Sequence, residues 1–212
     1  MIQVDPQKLE QHTLEPNIRW FVWAQINLPR AFNRAVTYRL KYLLGRRGVF
    51  GGDWDLRSRP FTEREEFRLV RSLWESLPDY RASAWYAKAR EEIAQRGAFS
   101  HKGHVARTEA ELDALFASEL APLLTSMAEH GYRQREGADL PEAMIGRDGT
   151  LIKTSHGTHR LAAAKAVGAA GLFPLHVVGV HRDWLRRVAE QPDMPRAEAV
   201  QRAVDDIERR YR

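Results

Sequence analysis

One short segment combines hydroxyl groups, imidazoles and a guanidinium at the spacing of a loop that leads into a helix. Residues 155–160 read Ser-His-Gly-Thr-His-Arg, and the alanine-rich run 161–167 follows. Alanine is the strongest helix former, so these polar residues are expected at a helix amino terminus, where free backbone N–H groups attract anions. Arg160 adds a bidentate partner for phosphate. The segment predicts an anion site. The alternative is that Ser155 or Thr154 simply caps the helix.

The residues before this helix are typical of a β-hairpin that would position it. Asp148-Gly149 separates two apolar runs, and Asp-Gly favours a tight turn in which both central residues have positive φ. Residues 151–153 are predicted to form the second strand, and Gly168 is predicted to end the helix. We therefore expect a strand–turn–strand–loop–helix unit with the polar segment at the loop.

The stretch DGTLIKTSHGTHRLAAAKAVG, followed by FPLHVVGVH, resembles the ParB/sulfiredoxin-like superfamily. The firm part of the resemblance covers about residues 112–181. In that family a Gly-x-His-Arg segment opens an alanine-rich helix that binds nucleotide phosphates. The resemblance implies that Gly157, His159 and Arg160 bind phosphate, with Ser155 and Thr158 beside them. It also implies a nucleoside triphosphate or diphosphate as cofactor, with Mg²⁺ as a possible companion.

The superfamily contains partition proteins that hydrolyse CTP, ATP-dependent sulfiredoxins and kinases that phosphorylate free serine. Thr158 stands where sulfiredoxins carry their catalytic cysteine, and this chain has no cysteine, which excludes that chemistry. The resemblance implies either a phosphotransferase acting on a small hydroxyl compound or an NTPase. The alternative is a non-enzymatic nucleic-acid-binding or partition-like module. Only about thirty residues follow Val180, and we expect these to be too few for a helix-turn-helix domain.

An enzyme of either kind needs a base, and three carboxylates are candidates. Asp53 and Asp55 follow the glycine pair in the sequence GGDWD, which resembles a segment of some ParB-like proteins. Two carboxylates beside a flexible turn can hold hydrated Mg²⁺ or accept a proton, but aspartates in turns also bond to their own backbone. Glu119 lies on a predicted helix, where a solvated surface acid is the alternative. We predict that at least one of the three lies near residues 158–160.

Two histidine pairs have the same three-residue spacing, His101 with His104 and His156 with His159. Neither pair has a carboxylate at ligand spacing, so no zinc site is predicted. The segment that carries the first pair, 98–107, is interpreted as a polar loop.

Residues 17–52 contain seven Lys and Arg and no acid, and six aromatic residues lie between the first and the last of these basic residues. Pro29 is expected to begin a helix with helically spaced apolar residues, and Gly45 to end it. Such a helix either packs its apolar stripe on the body or presents a surface to nucleic acid or an anionic membrane.

Length and composition limit the classes that remain. The chain has 212 residues, a net charge of +5 and no cysteine. These values favour a globular protein with an anionic partner and fit a reducing, cytoplasmic location. The first residues are polar and acidic, unlike a signal peptide, and no apolar run is long enough to span a membrane. The oligomeric state is not indicated.

The expected fold is α/β, with a small mixed sheet wrapped by helices in the ParB/sulfiredoxin-like manner. Its strands are expected near residues 49, 133, 144, 152 and 177. We divide the chain into a basic helical region at 1–47, a nucleotide-binding domain at 48–181 and C-terminal helices at 182–212 that pack on it. Residues 1–16 are interpreted as a peripheral arm. Thr62 to Glu65 is predicted to be a capping box that opens a helix.

Overall fold

The computed structural model describes residues 1–13, 48–134, 139–191 and 193–212. Within these ranges seven strands form one mixed sheet, a further pair of strands forms a hairpin, and helices pack around them, so the expected mixed α/β class is confirmed. The strands are β1 (Ile2–Val4), β2 (Gln11–His12), β3 (Val49–Phe50), β4 (Arg59–Pro60), β5 (Phe99–His101), β6 (His104–Ala106), β7 (Glu142–Ile145), β8 (Leu151–Lys153) and β9 (Phe173–His181).

The helices are α1 (Glu65–Ser76), α2 (Ala84–Arg96), α3 (Glu109–Leu115), α4 (Ala121–His130), α5 (Thr158–Ala166), α6 (Arg182–Ala189) and α7 (Arg196–Tyr211). A π-helical turn, Phe116–Leu120, joins α3 to α4 just before Pro122. Thr108 and Glu111 cap α3 reciprocally. The capping box predicted at Thr62 is wrong, because a 3₁₀ turn occupies Phe61–Glu63 and α1 begins after Arg64.

The sheet has the order β1-β9-β7-β8-β2-β4, and β3 pairs with the later half of β9. Strand β9 runs parallel to β7, and β7 runs antiparallel to β8. Because β7 and β8 run in opposite directions, the turn that joins them lies at one end of the two strands. The loop that enters α5 lies at the other end. This arrangement decides which candidate residues can meet.

The β7–β8 turn differs in detail from the predicted one. Gly149 alone has positive φ, at +87°, and its N–H bonds to the carbonyl of Gly146 at 3.0 Å. Three residues therefore form the loop, with the glycine in the left-handed position. Asp148 accepts hydrogen bonds from the amide and hydroxyl of Thr150, which holds the turn closed.

The main core lies between one face of the sheet and the helices. Helix α5 packs against α1, and its small alanines allow that close approach. Phe61, Phe116 and Phe173 are fully buried there. A second, smaller cluster lies on the other face of the sheet, where Trp54 packs against Met144 and Ile152. Alternate residues of β7 thus enter different clusters, as the two faces of a strand require.

Three segments differ from the sequence-based expectations. The prediction of a peripheral arm is wrong for residues 2–12, because β1 pairs with β9 and β2 pairs with β8. The first thirteen residues thus belong to the same sheet as the central domain. No strand forms at residues 132–134. The expected polar loop at 98–107 contains the β5–β6 hairpin, whose turn residues Lys102 and Gly103 both have positive φ.

The predicted terminal helices are confirmed as α6 and α7, and they pack on the sheet. Arg210 donates to the carbonyl of Gly149, and the Tyr211 hydroxyl accepts from the amide of Leu151 at 3.0 Å. The basic helix predicted between residues 29 and 45 lies outside the described residues. Among those described, no helix is long and apolar enough to cross a membrane.

Candidate functional site

Gly157 sets the start of α5. Its φ of +75° is the left-handed conformation that favours glycine. A Cβ atom there would lie 2.7 Å from the Cα and Cβ of Pro141, so the close approach also requires glycine. The helix begins at the next residue, and its first amides have no partner within the helix. The predicted loop-to-helix junction is therefore present, with Ser155 exposed on its outer side.

A fully buried lysine holds the backbone of the loop before Gly157. Lys153, which is 0% exposed, donates to the carbonyls of Thr154 and His156. The Thr158 hydroxyl is also buried and donates to the carbonyl of Ser155 at 2.8 Å. Both contacts fix the loop backbone. Thr158 thus holds the junction together, while the predicted anion site depends on amides, His159 and Arg160.

His159 faces the β5–β6 hairpin. Its ring centroid lies 5.1 Å from that of His101 in an edge-to-face arrangement, and Trp85 on α2 packs against both rings. A cavity of about 80 Å³ opens beside these rings. Its lining is made by Glu66, Leu69, Trp85, Lys88, Glu92, Phe99, His101 and His159.

The surroundings keep both imidazoles neutral. Burial, and then the neighbouring His159 and Lys102, lower the pKa of His101 to about 4. Burial, followed by Lys102, also lowers the pKa of His159. Glu66 acts in the opposite direction on His159, but its own carboxylate is paired with Arg64 at 3.0 Å. At neutral pH, two uncharged imidazoles therefore line this side of the helix start.

His159 contacts the β5–β6 hairpin on one side of the helix start, and Arg160 lies on the other side. Its guanidinium donates to the carbonyl of Asp139 and lies 3.4 Å from the Tyr132 hydroxyl. Arg160 therefore links α5 to the segment that leads into β7. His159 and Arg160, which are adjacent in sequence, thus reach towards different neighbours and flank the first turn of the helix.

Asp53 and Asp55 converge on Arg147, in the β7–β8 turn. Asp55 accepts from the backbone amide and the guanidinium of Arg147 at 2.8 and 2.9 Å, and Asp53 accepts from the same guanidinium at 2.9 Å. Burial opposes the ionisation of Asp55, but the hydrogen bonds from Arg147 outweigh it and lower the pKa. Buried His181 donates to the carbonyl of Gly52 at 2.8 Å and has Asp55 at 3.9 Å.

These two aspartates do not lie at the helix start. Arg147 follows the carboxyl end of β7, whereas Thr158 follows the carboxyl end of the antiparallel strand β8. The length of β7 separates the two groups, about 10 Å at 3.3 Å per residue. Glu119 is exposed on the π-helical turn and does not line the cavity beside His159. The structure instead brings Glu66 and Glu92 to that cavity.

The structure adds groups that the sequence reasoning missed, namely Lys153, Trp85, His101 and the two cavity carboxylates. One signal was available for His101. Lys102-Gly103 between alternating residues is a two-residue hairpin pattern, and that hairpin places His101 against His159. No group of three or more His, Asp or Glu able to hold a metal ion occurs in residues 1–13, 48–134, 139–191 and 193–212.

Comparisons of the chain with models of known families, with curated proteins and with solved structures gave no match.

Proposed function

We propose that this chain is a nucleotide-binding protein of the ParB/sulfiredoxin-like kind, and that it holds nucleotide phosphates at the start of α5. The observation that carries the proposal is the arrangement around Gly157. A left-handed glycine opens the helix, and His159 and Arg160 flank the first turn. Free amides at a helix amino terminus and an adjacent guanidinium are a suitable environment for a phosphate.

A thermal-shift screen of ATP, ADP, CTP and GTP, each with and without Mg²⁺, tests the proposal. A ligand that binds only the folded chain raises the melting temperature by mass action. The pattern across the four nucleotides identifies the base, and the magnesium arms show whether the ion is needed. If none of the nucleotides raises the melting temperature at millimolar concentration, the proposal is wrong.

Arg160→Ala is predicted to weaken nucleotide binding by about 1.5–3 kcal/mol, the range for hydrogen bonds to charged groups. Titration calorimetry of the best nucleotide measures the change. Arg90→Ala, an exposed arginine on α2, is the matched control and is expected to leave the affinity unchanged. Unchanged affinity in a folded Arg160→Ala protein would remove this residue from the site.

The enzymatic version of the proposal is a phosphotransferase acting on a small hydroxyl compound, or an NTPase. Such chemistry depends mainly on positioning and charge stabilisation. The carboxylates best placed to act as a base at α5 are Glu66 and Glu92, because both line the cavity beside His159. Asp53 and Asp55 lie at the opposite end of β7 from the start of α5, which argues against either of them as the base.

Kinetics separate these assignments. If Asp53 is catalytic, Asp53→Asn abolishes turnover and leaves nucleotide affinity intact. If the cavity carboxylates are catalytic, Glu92→Gln abolishes turnover and Asp53→Asn does not. Loss of both turnover and affinity in Asp53→Asn would indicate a structural role for the turn that follows β3.

The second candidate is a non-enzymatic nucleic-acid-binding or partition-like module. The feature that favours it is the acid-free segment 17–52, with its seven basic and seven aromatic residues. Basic and aromatic side chains together suit a nucleic-acid surface, and the same charges also suit an anionic membrane. The absence of cysteine fits a cytoplasmic location for either candidate.

A further inference from the structure

His101 and His159 come from different elements and meet at the cavity beside the start of α5. Their ring centroids are 5.1 Å apart, and Trp85 packs against both. Neither imidazole forms a hydrogen bond with another described residue, although both are partly accessible. The ring nitrogens are therefore available to a ligand that enters the cavity.

The charges around the two rings are balanced. The start of α1 supplies Arg64, Glu65 and Glu66, α2 supplies Lys88 and Glu92, and the hairpin supplies Lys102 and His104. Arg64 pairs with Glu66, and Lys88 pairs with Glu65. Three cations and three carboxylates thus lie around the rings, and four of them form two ion pairs. While the imidazoles are neutral, these side chains give an anion little net attraction.

Protonation of the imidazoles changes that balance. Each proton adds one positive charge to a partly buried cavity, where charge interactions are stronger than in water. The rings also lie close enough that a proton on His159 opposes a proton on His101, which is one cause of the lowered pKa of His101. An anion bound beside both rings in the cavity offsets this repulsion, since an opposite charge favours the protonated form.

We propose that His101 and His159 form a proton-linked subsite for a phosphoryl-type dianion at the start of α5, so that the anion binds together with a proton. This inference rests on the proposed nucleotide-binding function and adds His101 to its site. The proton link predicts that anion affinity rises as the pH falls from about 7.5 to 5.5, by up to tenfold per pH unit when one proton accompanies each anion.

Inorganic sulfate is the appropriate probe, because it remains a dianion over this range. A phosphate ester has its own second pKa near 6 and would confuse the result. Histidine ring NMR of the full chain, recorded against pH with and without sulfate, gives the titration midpoint of each ring. We expect sulfate to raise the midpoints of His101 and His159, and the sulfate affinity to increase with acidity.

The matched pair of variants is His101→Gln and His104→Gln. The two residues lie opposite each other on the hairpin, but His104 is exposed. A weaker pH dependence of sulfate affinity is expected in His101→Gln, because only His159 remains to take up a proton, while His104→Gln should keep the full dependence. The ring titrations use the unaltered chain, so the conclusion does not depend on whether either variant folds.

Two results would overturn the inference, and they differ in what they say about the proposed function. If sulfate or ADP shifts the amide signals of residues 158–160 but leaves both ring midpoints unchanged, the proton link is wrong and the phosphate site stands. If neither anion shifts these amides at any pH, and the four nucleotides also fail to raise the melting temperature, both proposals are wrong.

Discussion

Arg147 connects two parts of the chain that are distant in sequence, the turn after β3 and the β7–β8 turn. Its guanidinium contacts Asp53, Asp55 and the carbonyl of Gly52, and its own carbonyl accepts from Arg187 on α6. Asp55 is buried, whereas the Asp53 side chain is 62% exposed. The two aspartates therefore contribute unequally, although the sequence presents them as an equivalent pair.

Asp55→Ala is predicted to destabilise the fold by about 2–3 kcal/mol, because it removes the acceptor of the Arg147 amide and one of the acceptors of its guanidinium. Asp53→Ala is the matched control and is expected to cost less than about 1 kcal/mol, since exposed ion pairs contribute little. Urea unfolding of both variants gives the free energies. Equal losses in the two would show that burial does not separate their roles.

The His101 imidazole makes stability depend on pH. Its pKa is about 4 in the folded chain, against an ordinary value of 6.5, so the unfolded chain binds more protons between these values. Stability is therefore complete above about pH 6.5 and decreases as the pH falls towards 4.

His101→Gln is predicted to remove about 1–2 kcal/mol of this acid-induced loss, since the ring is only partly buried and solvent screens part of the penalty. Urea unfolding at a series of pH values measures it. The exposed His130, changed to Gln, is the control and should leave the pH profile as it is. An identical profile in His101→Gln would show that another group causes the loss.

At the level of elements, the start of α5 depends on one backbone position. Gly157 and Gly97 have the same φ of +75°, but a Cβ at Gly97 would meet nothing within 4 Å, while one at Gly157 would collide with Pro141. The pair thus separates the cost of the conformation from the cost of the collision.

Gly97→Ala is predicted to cost about 1–2 kcal/mol, the penalty for a left-handed residue with a side chain. Gly157→Ala should cost at least about 1 kcal/mol more, because the added methyl overpacks the contact with Pro141. Unfolding free energies of the two variants measure the difference. Equal costs would mean that the loop before α5 moves aside easily.

The helices with clear apolar periods and caps were predictable from local sequence. Ser83 and Gly97 bound α2, Thr108 opens α3, and Gly131 ends α4, each through contacts within a few residues. Strand β1 was not predictable in this way, because three residues with a short apolar pattern become a strand only by pairing with β9. The prediction of a capping box at Thr62 is wrong because a 3₁₀ turn forms at Phe61–Glu63.

The site was predictable in part. Residues 155–160 lie at the start of α5 because hairpin, loop and helix are consecutive in the chain. The position of Asp53 and Asp55 depends on strand order and direction, which no local pattern fixes. The prediction that they lie near residues 158–160 is therefore wrong. Glu66, Glu92 and His101 reach the cavity through tertiary packing, and only the Lys-Gly hairpin pattern offered a sequence signal.

On the scale of the whole molecule, the positive charge is concentrated in one segment. Residues 17–52 contain seven Lys and Arg and no acid, while the entire chain has a net charge of +5, so the remaining residues carry a net −2. The excess positive charge that would attract a large anion at long range therefore lies in this segment. The anion site proposed at α5 concerns a small anion instead.

Neutralising Arg30, Arg34 and Lys41 together is predicted to weaken binding of DNA, RNA or anionic vesicles and to leave nucleotide affinity nearly unchanged. Binding to nucleic acid should also fall steeply with salt, because counterions are released on binding. Salt titrations of the unaltered chain and the variant measure both effects. If the unaltered chain binds none of the three, the segment has no role with large anions.

The pairing of β1 with β9 bears on how the chain folds as it is synthesised. Ile2 lies opposite Leu175, and the amide of Asp5 donates to the carbonyl of Tyr211 at 2.7 Å. Strand β1 therefore has to remain unpaired during synthesis until β9 emerges, about 170 residues later. Non-local pairing of this kind slows folding, and transiently unpaired apolar strands are prone to aggregate. Nascent chains are expected to need chaperone protection of Ile2 and Val4 until β9 emerges.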